Sequence, residues 1–299
     1  PHVAVVILNF NRPDDTMACL RSLEGLDYPS FGVVVVDNGS AEASASAIRK
    51  RFPSVDLVEN GCNLGFAGGC NVGIARSLSR GAEYVLLLND DTEVAPDLLR
   101  CLVEVGEGDP SIGVAGPRIY YYDQADVIWS AGGALDELGQ SRHLRVDETD
   151  DGRSEEVRDV DYVTGCGMLV KRQVVEAVGL LDERFFAYYE EAEWCARARR
   201  AGYRVVYVPQ ARMWHKIGPT ERLYSRRYLY LMARNRLLYL KCSGAGSGAV
   251  LLAALNLLRT AASWRVRPRH RRLRPYCVAL MRGVHDFALG RFGAPPPRL

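Results

Sequence analysis

Tyr84-Val85-Leu86-Leu87-Leu88-Asn89-Asp90-Asp91-Thr92 is an apolar run that stops abruptly at two adjacent carboxylates. A run without polar alternation reads as a strand buried on both faces, as in a parallel sheet. In open α/β sheets ligands bind outside the carboxyl ends of the strands, so Asp90 and Asp91 stand where a site is expected. Two carboxylates held together are costly unless a cation neutralises them, and hard oxygen ligands suit Mg²⁺ or Mn²⁺. An acidic turn capping a following helix, with Asp91 or Thr92 ahead of Glu93 and Pro96, accounts for the same residues.

The upstream segments repeat the pattern. Residues 3–8 form a short apolar run ending at Asn9-Phe10-Asn11-Arg12-Pro13, and Asp14 caps a helical stretch through Leu23. Residues 33–36 end at Asp37-Asn38-Gly39-Ser40, followed by a helix to about Phe52 and a short strand over 55–59. This alternation predicts an α/β fold, a doubly wound and mostly parallel sheet with helices on both faces. Next comes Asn63-Leu64-Gly65-Phe66-Ala67-Gly68-Gly69-Cys70-Asn71-Val72-Gly73-Ile74, a loop entering a helix. Its glycines allow close backbone approach, and N–H groups at a helix start can hold anionic ligand groups. The spacing is not that of a dinucleotide fingerprint, and a tight turn with close helix packing is the plain alternative.

Downstream, a helix is expected over 95–107 and a short strand over 112–115. From 120 to 161 the pattern loosens into a hairpin near Trp129-Ser130-Ala131-Gly132-Gly133 and a mobile acidic loop at 147–156. An apolar stretch over 160–171 is interrupted by Thr164-Gly165-Cys166-Gly167, and a helix follows from Gln173. The aromatic run Phe185-Phe186-Ala187-Tyr188-Tyr189 then leads into a helix beginning Glu190-Glu191. Glu193 and Arg197, four apart, can pair on one helical face. Glu190 and Glu191 fall at or before the first turn, where the helix dipole favours ionised carboxylates; surface capping is the alternative for either alone. A strand over 203–208 leads to Met213-Trp214-His215-Lys216-Ile217-Gly218, where a lone histidine is not by itself a ligand.

The bulk numbers frame these motifs. With 299 residues, 48% apolar and 25% charged, the chain is an ordinary globular protein, and a net charge of +2 argues against a nucleic-acid binder. Eight cysteines without a CxxC pair read as reduced thiols of a cytoplasmic protein, not as disulfides or zinc ligands. No signal peptide is visible, since the start runs straight into a strand. The C-terminal part differs in character. A basic, aromatic helix over 224–240 meets a hinge at Gly244-Ala245-Gly246-Ser247-Gly248, and 249–258 is apolar but too short to span a bilayer. Arg259, Arg265, Arg267, Arg269, Arg271, Arg272 and Arg274 follow, with Trp264 among them. Such a segment reads as lying on anionic lipid, peripheral on the inner face of the plasma membrane. A helix packed on the domain or on another subunit is the alternative.

Taken together, these motifs resemble the family-2 glycosyltransferases of the GT-A fold, over residues 3–240, and most resemble the bacterial rhamnosyltransferase-type branch. The resemblance rests on an ordered set: Val35-Val36-Asp37-Asn38-Gly39-Ser40, residues 63–74, 88–92, 164–169, 189–197 and His215-Lys216-Ile217-Gly218. It implies a nucleotide-sugar donor (a dTDP- or UDP-sugar) bound by residues 1–105 and a glycan or polyprenol-linked acceptor bound by 106–240. Residues 241–299 would form the basic helical extension. Asp37 would contact the nucleoside, with Asn9, Asn11 and Arg12 nearby. Asn63, Gly65, Phe66, Gly69 and Asn71 would help hold the nucleotide. Asn89-Asp90-Asp91 matches the family's D-x-D motif, whose last carboxylate binds the metal, here Asp91. His215 matches the late metal-ligand histidine, and Glu190-Glu191 the acidic pair whose second member is the base in inverting members. Thr164, Gly165, Cys166 and Trp194 would shape the acceptor side. Asn89 and Glu191 depart from the family's usual Asp at each position. A tailoring enzyme acting on a soluble small molecule, or a non-catalytic nucleotide-sugar-binding protein, remain the competing readings.

Overall fold

The computed structural model describes residues 1–153, 155–217 and 225–297. The first half follows the expected alternation: β1 (Val3–Asn9), α1 (Pro13–Leu23), β2 (Phe31–Asp37), α2 (Glu42–Arg51), β3 (Asp56–Glu59), α3 (Gly65–Ser79) and β4 (Tyr84–Asn89). β1 lies parallel between β2 and β4, and β3 continues the parallel row beyond β2. Val3, Val5, Ile7, Leu86 and Leu88 pack on one face with Cys19, Leu20 and Leu23 of α1. Val6, Val34, Val36, Val85 and Leu87 pack on the other with Ala67, Cys70 and Ile74 of α3. Both faces being covered, these strands carry apolar runs instead of alternation.

The second half comprises β5 (Thr92–Val94), α4 (Leu98–Gly108), β6 (Ile112–Tyr121), β7 (Gln124–Ser130), β8 (Gly133–Leu135), β9 (Ser141–His143), β10 (Arg158–Asp159), β11 (Gly167–Lys171), α5 (Arg172–Val178), α6 (Glu190–Arg200) and β12 (Arg204–His215). One sheet runs through both halves in the order β10-β12-β6-β11-β4-β1-β2-β3. The division expected at 105/106 falls inside α4. β11 is antiparallel to both β4 and β6, because the chain enters it from a turn already at the carboxyl end of β4.

Several expected boundaries move. The strand expected at 112–115 runs on to Tyr121, and the one expected at 203–208 continues as β12 to His215. Pro209 sits in a register shift between Val208 and Arg212, where a missing N–H is tolerated, so the strand survives its proline. The helix expected from residue 95 starts at Leu98, and Thr92 opens β5 instead of a helix. The helix-cap reading of Asp91 and Thr92 is thereby replaced by a strand-to-strand turn. The acidic loop is pinned where a mobile one was expected: the buried Arg118 guanidinium binds Asp150 and Glu155.

The C-terminal extension folds onto the body as α7 (Arg226–Cys242), α8 (Ser247–Val266), a 3₁₀ stretch and α9 (Cys277–Ala288). Leu229, Tyr230, Leu231, Ala233, Ala261, Cys277, Ala279 and Leu280 share a core. Gly283 of α9 lets the helices approach: a Cβ there would lie 2.7 Å from the Tyr230 carbonyl. α8 also keeps Leu251, Leu252, Leu255 and Leu258 exposed. Among the described residues no helix is long and apolar enough to cross a membrane. Residues Tyr224 and Gly218 of the motifs above lie outside the described residues.

Candidate active site

The acidic turn and His215 meet because of strand pairing. The Thr92 hydroxyl donates to the Asn89 carbonyl at 2.7 Å, closing the turn through Asp90 and Asp91. β5 then runs antiparallel to β12, with His215 in register with Thr92. As a result His215 Nε2 lies 3.0 Å from Asp91 Oδ1, across 124 residues of sequence. Arg12 reaches in from the loop after β1, and its Nη1 donates to Asp91 Oδ2 at 2.8 Å.

The electrostatics separate the two aspartates. Burial, reinforced by the charge of Asp91, pushes Asp90 up to about 7. Burial acts in the same sense on Asp91, but the His215 hydrogen bond and charge, together with Arg12, hold it below the usual carboxylate range. Burial disfavours the charged form of His215, yet Cys166 and Asp91 outweigh it and push the imidazole up to about 10. Asp91 is therefore the fixed negative charge of the turn, and Asp90 is not its equal.

Asp91 and His215 fit a divalent cation once the imidazole gives up its proton, which a bound cation would displace. Two neighbouring ligands of an octahedral ion at about 2.1 Å stand about 3.0 Å apart, which is the separation observed. His215 Nδ1 is buried without a partner among the described residues. A carboxylate with an imidazole suits Mn²⁺ better than Mg²⁺. No cluster of three or more His, Cys, Asp or Glu occurs among the described residues, which leaves the other positions to substrate phosphates and water, as is common for such ions.

The second cluster lies across the 164–166 turn. The Cys166 carbonyl accepts the Asn89 N–H at 3.2 Å. A Cβ on Gly165 would meet the Phe66 ring at 2.8 Å and Glu191 Cβ at 3.9 Å. Thr164, Gly165, Cys166 and Phe66 thus connect the end of β4 to the first turn of α6. There Glu190 and Glu191 each have a buried Oε2 with no partner among the described residues. Burial, then the charge of Glu191, pushes Glu190 well above the carboxylate range. Burial also raises Glu191, but the N–H groups of Glu191, Ala192 and Tyr189 at the helix start oppose it. The expectation that the helix dipole favours the ionised form of both is corrected: burial raises both carboxyls, and the helix-start N–H groups limit the rise at Glu191.

Other expected site residues are committed to the scaffold. Asn9 is buried, donating to Asp37 Oδ2 at 2.6 Å and Ser44 Oγ at 2.9 Å while accepting from the Thr16 hydroxyl, so it orients Asp37. Asp37 also accepts the Ser40 N–H at 2.8 Å. Asn11 accepts the Ala41 N–H, and Asn63 the Gly65 N–H. Asn71 is spent on Leu181 and Glu183. Gly69 faces the sheet: a Cβ there would lie 2.4 Å from Leu8 Cδ1, so close packing is what it serves. Trp194 is 2% exposed and donates its indole N–H to the Gly179 carbonyl, which makes it a core residue and removes it from the acceptor side.

Two groups were quoted in the sequence without a role in the site. Asn38 stitches the loop after β2 to the glycine-rich loop through Asn60, Asn63, Leu64 and Gly65, and its Asn-Gly context was the available signal. Trp129 lies edge-on to His215, ring centroids 4.8 Å apart, and against His143 at 4.6 Å. Burial pushes His143 down to about 4, so it stands neutral beside the site. Only the β6–β7 pairing and the β8–β9 hairpin bring these rings together.

Comparison with known proteins identifies the family and the fold. The family described as "Glycosyltransferase like family 2" matches residues 1–236. A low-salt glycan biosynthesis hexosyltransferase of Haloferax volcanii is 29% identical over 240 residues, covering 79% of this chain and 74% of that protein. An N-acetylglucosaminyl-diphospho-decaprenol L-rhamnosyltransferase of Mycobacterium tuberculosis is 29% identical over 221 residues, 66% of this chain and 70% of its own. In structure, a mannosyltransferase of Pyrobaculum calidifontis in complex with GDP-Man and Mn²⁺ superposes with a TM-score of 0.61 at 17% identity, covering 97% of this chain and 88% of that one. With its sheet of the GT-A type and the family match running from the first strand into α7, this chain belongs to glycosyltransferase family 2 and is a glycosyltransferase.

Proposed function

We propose that the chain is an inverting, divalent-metal-dependent glycosyltransferase that moves a sugar from a nucleotide-sugar donor to a hydroxyl of a lipid-linked or growing glycan acceptor. Rhamnose from dTDP-rhamnose is the first donor to test. The carrying observation is that Asp91, His215 and Arg12 converge at the end of β4, while Glu191 presents an unpartnered buried oxygen beyond the 164–166 turn. The rhamnosyltransferase among the relatives, whose name specifies a decaprenol-linked acceptor, supports the choice of sugar and acceptor.

Asp91 and His215 would hold the metal, which when bound neutralises the charge building on the departing diphosphate. Arg12, already paired with Asp91, adds a second cation at the same end of the sheet. Glu191 takes the proton of the acceptor hydroxyl as its oxygen attacks the anomeric carbon. The bond to the diphosphate breaks on the opposite face, so the configuration inverts and the nucleoside diphosphate leaves with the bonding pair. Glu190 is the more favoured site for a proton shared by the pair, which leaves Glu191 the better base.

A membrane-borne acceptor is favoured over a soluble one by α8. Leu251, Leu252 and Leu255 are exposed on α8, and the 3₁₀ stretch that follows carries a run of exposed arginines, apolar and cationic groups suited to anionic lipid. The test of function is a panel of nucleotide sugars with purified protein and Mn²⁺, reading released nucleoside diphosphate with and without glycolipid acceptor. Acceptor-stimulated release is the expected result. Binding without release from any donor refutes turnover in favour of a binding protein.

A further inference from the structure

We propose that Asn235 of α7, braced by Arg234, is the positioning residue for the Glu190–Glu191 pair; this rests on the reading of Glu191 as the base. The backbone leading into α6 is unusual. Phe186, Tyr188 and Tyr189 have φ of 66°, 69° and 74°, so three bulky L residues out of four adopt the left-handed region just before Glu190. Such a conformation persists only where the surroundings over-determine it, and it gathers at functional sites.

Asn235 supplies that determination. Its Nδ2 donates to the carbonyls of Phe185 at 2.9 Å, Ala187 at 2.8 Å and Tyr188 at 2.8 Å. Its Oδ1 accepts Arg234 Nε at 3.0 Å, which fixes the amide's orientation. Arg234 donates in turn to Phe185 O at 3.0 Å and to Gly293 O at 2.8 Å. Both side chains are 0% exposed. From the other side, Phe186 O accepts the Ala67 N–H at 3.2 Å, and Gly65 leaves room for it: a Cβ there would lie 2.4 Å from that oxygen. One amide therefore sets where the first turn of α6 begins, and with it where both carboxylates stand. The C-terminal helices, beyond the donor-binding sheet, reach the reacting end of the molecule through this contact.

The experiment compares full-length wild type with Asn235→Ala, Asn235→Asp, Tyr188→Gly and the Asn235→Ala/Tyr188→Gly double variant. The Asp variant keeps the shape and loses both N–H donors. For a positioning role, kcat falls about 10²-fold in Asn235→Ala and Asn235→Asp, the cost of a base displaced by about an ångström. Donor KM and nucleoside diphosphate affinity stay as in wild type, since the donor's residues are on other elements. Tyr188→Gly restores a large part of kcat in the double variant, because glycine takes positive φ without a clamp. Unchanged kcat, or kcat and nucleotide affinity falling together with no rescue, overturns the proposal and marks Asn235 as a general fold residue. If Asn235→Ala does not fold, Asn235→Asp carries the same readouts. Full turnover in Glu191→Gln refutes the base reading itself, whereas an inactive Glu191→Gln beside a fully active Asn235→Ala refutes only the clamp.

Discussion

Replacing the two adjacent glutamates one at a time is expected to give opposite results. Both sit in the first turn of α6 with an unpartnered buried oxygen, so neither side chain is distinguished by exposure to the site. The distinction is electrostatic. Burial and the neighbouring charge push Glu190 well up, whereas three backbone N–H groups and Glu190 itself counteract burial at Glu191. A proton shared by the pair is therefore favoured on Glu190 over Glu191. Glu190→Gln reproduces the uncharged, donating state already present and should keep turnover within about tenfold of wild type, while Glu191→Gln removes the base and should lose about 10²–10⁴-fold. A stability signature accompanies this. The folded pKa of Glu190 lies above its unfolded value of 4.5, so the native chain retains a proton that the unfolded chain has released. Its contribution is full below the unfolded value and is lost as pH rises through the folded one. Glu190→Gln removes that loss, and its Tm relative to wild type should climb steadily with pH. Nucleoside diphosphate release with Mn²⁺ and a thermal melt across pH read the two effects. Equal inactivity of the two variants, or a Tm difference independent of pH, would refute the assignment.

Asp90 is expected to act in the same sense within a defined window. Its folded pKa of about 7 against 3.8 unfolded means that stability drains as pH rises from about 4 to about 7, so Asp90→Asn should flatten that part of a Tm–pH curve, and a parallel curve would contradict it. Trp194→Phe loses the bond to the Gly179 carbonyl and should cost about 1–3 kcal/mol in denaturant unfolding, with the acceptor KM unchanged; a raised acceptor KM would return Trp194 to the site. Sedimentation with anionic liposomes should be strong for wild type, weak at high salt and abolished by Leu251→Glu with Leu255→Glu. Equal sedimentation of that variant would point to a protein partner for α8.

Much of the fold was legible because its strands are covered on both faces. Residues 3–8, 33–36 and 84–88 announce themselves as buried parallel strands by apolar runs that end in polar residues, and α3 by its glycines. The same local signals misled where pairing overrides them. The strand was expected to stop at residue 208, but a register shift absorbs Pro209, and β12 runs on to deliver His215. The resemblance put Trp194 on the acceptor side, yet its place on α6 turns its ring inward to the core.

By itself the sequence determined the chemical inventory and its order: carboxylates at the end of β4, a glutamate pair at a helix start, a late histidine, and an apolar, arginine-rich tail. Only the tertiary structure decided which members meet. His215 finds Asp91 through the antiparallel register of β5 and β12, across 124 residues that no local pattern can bridge. The tertiary structure also decided protonation, since Asp90 and Asp91, and Glu190 and Glu191, are buried alike but meet different partners, some of them drawn from distant segments. Charge states follow from desolvation and from partners, and neither is a property of a residue alone.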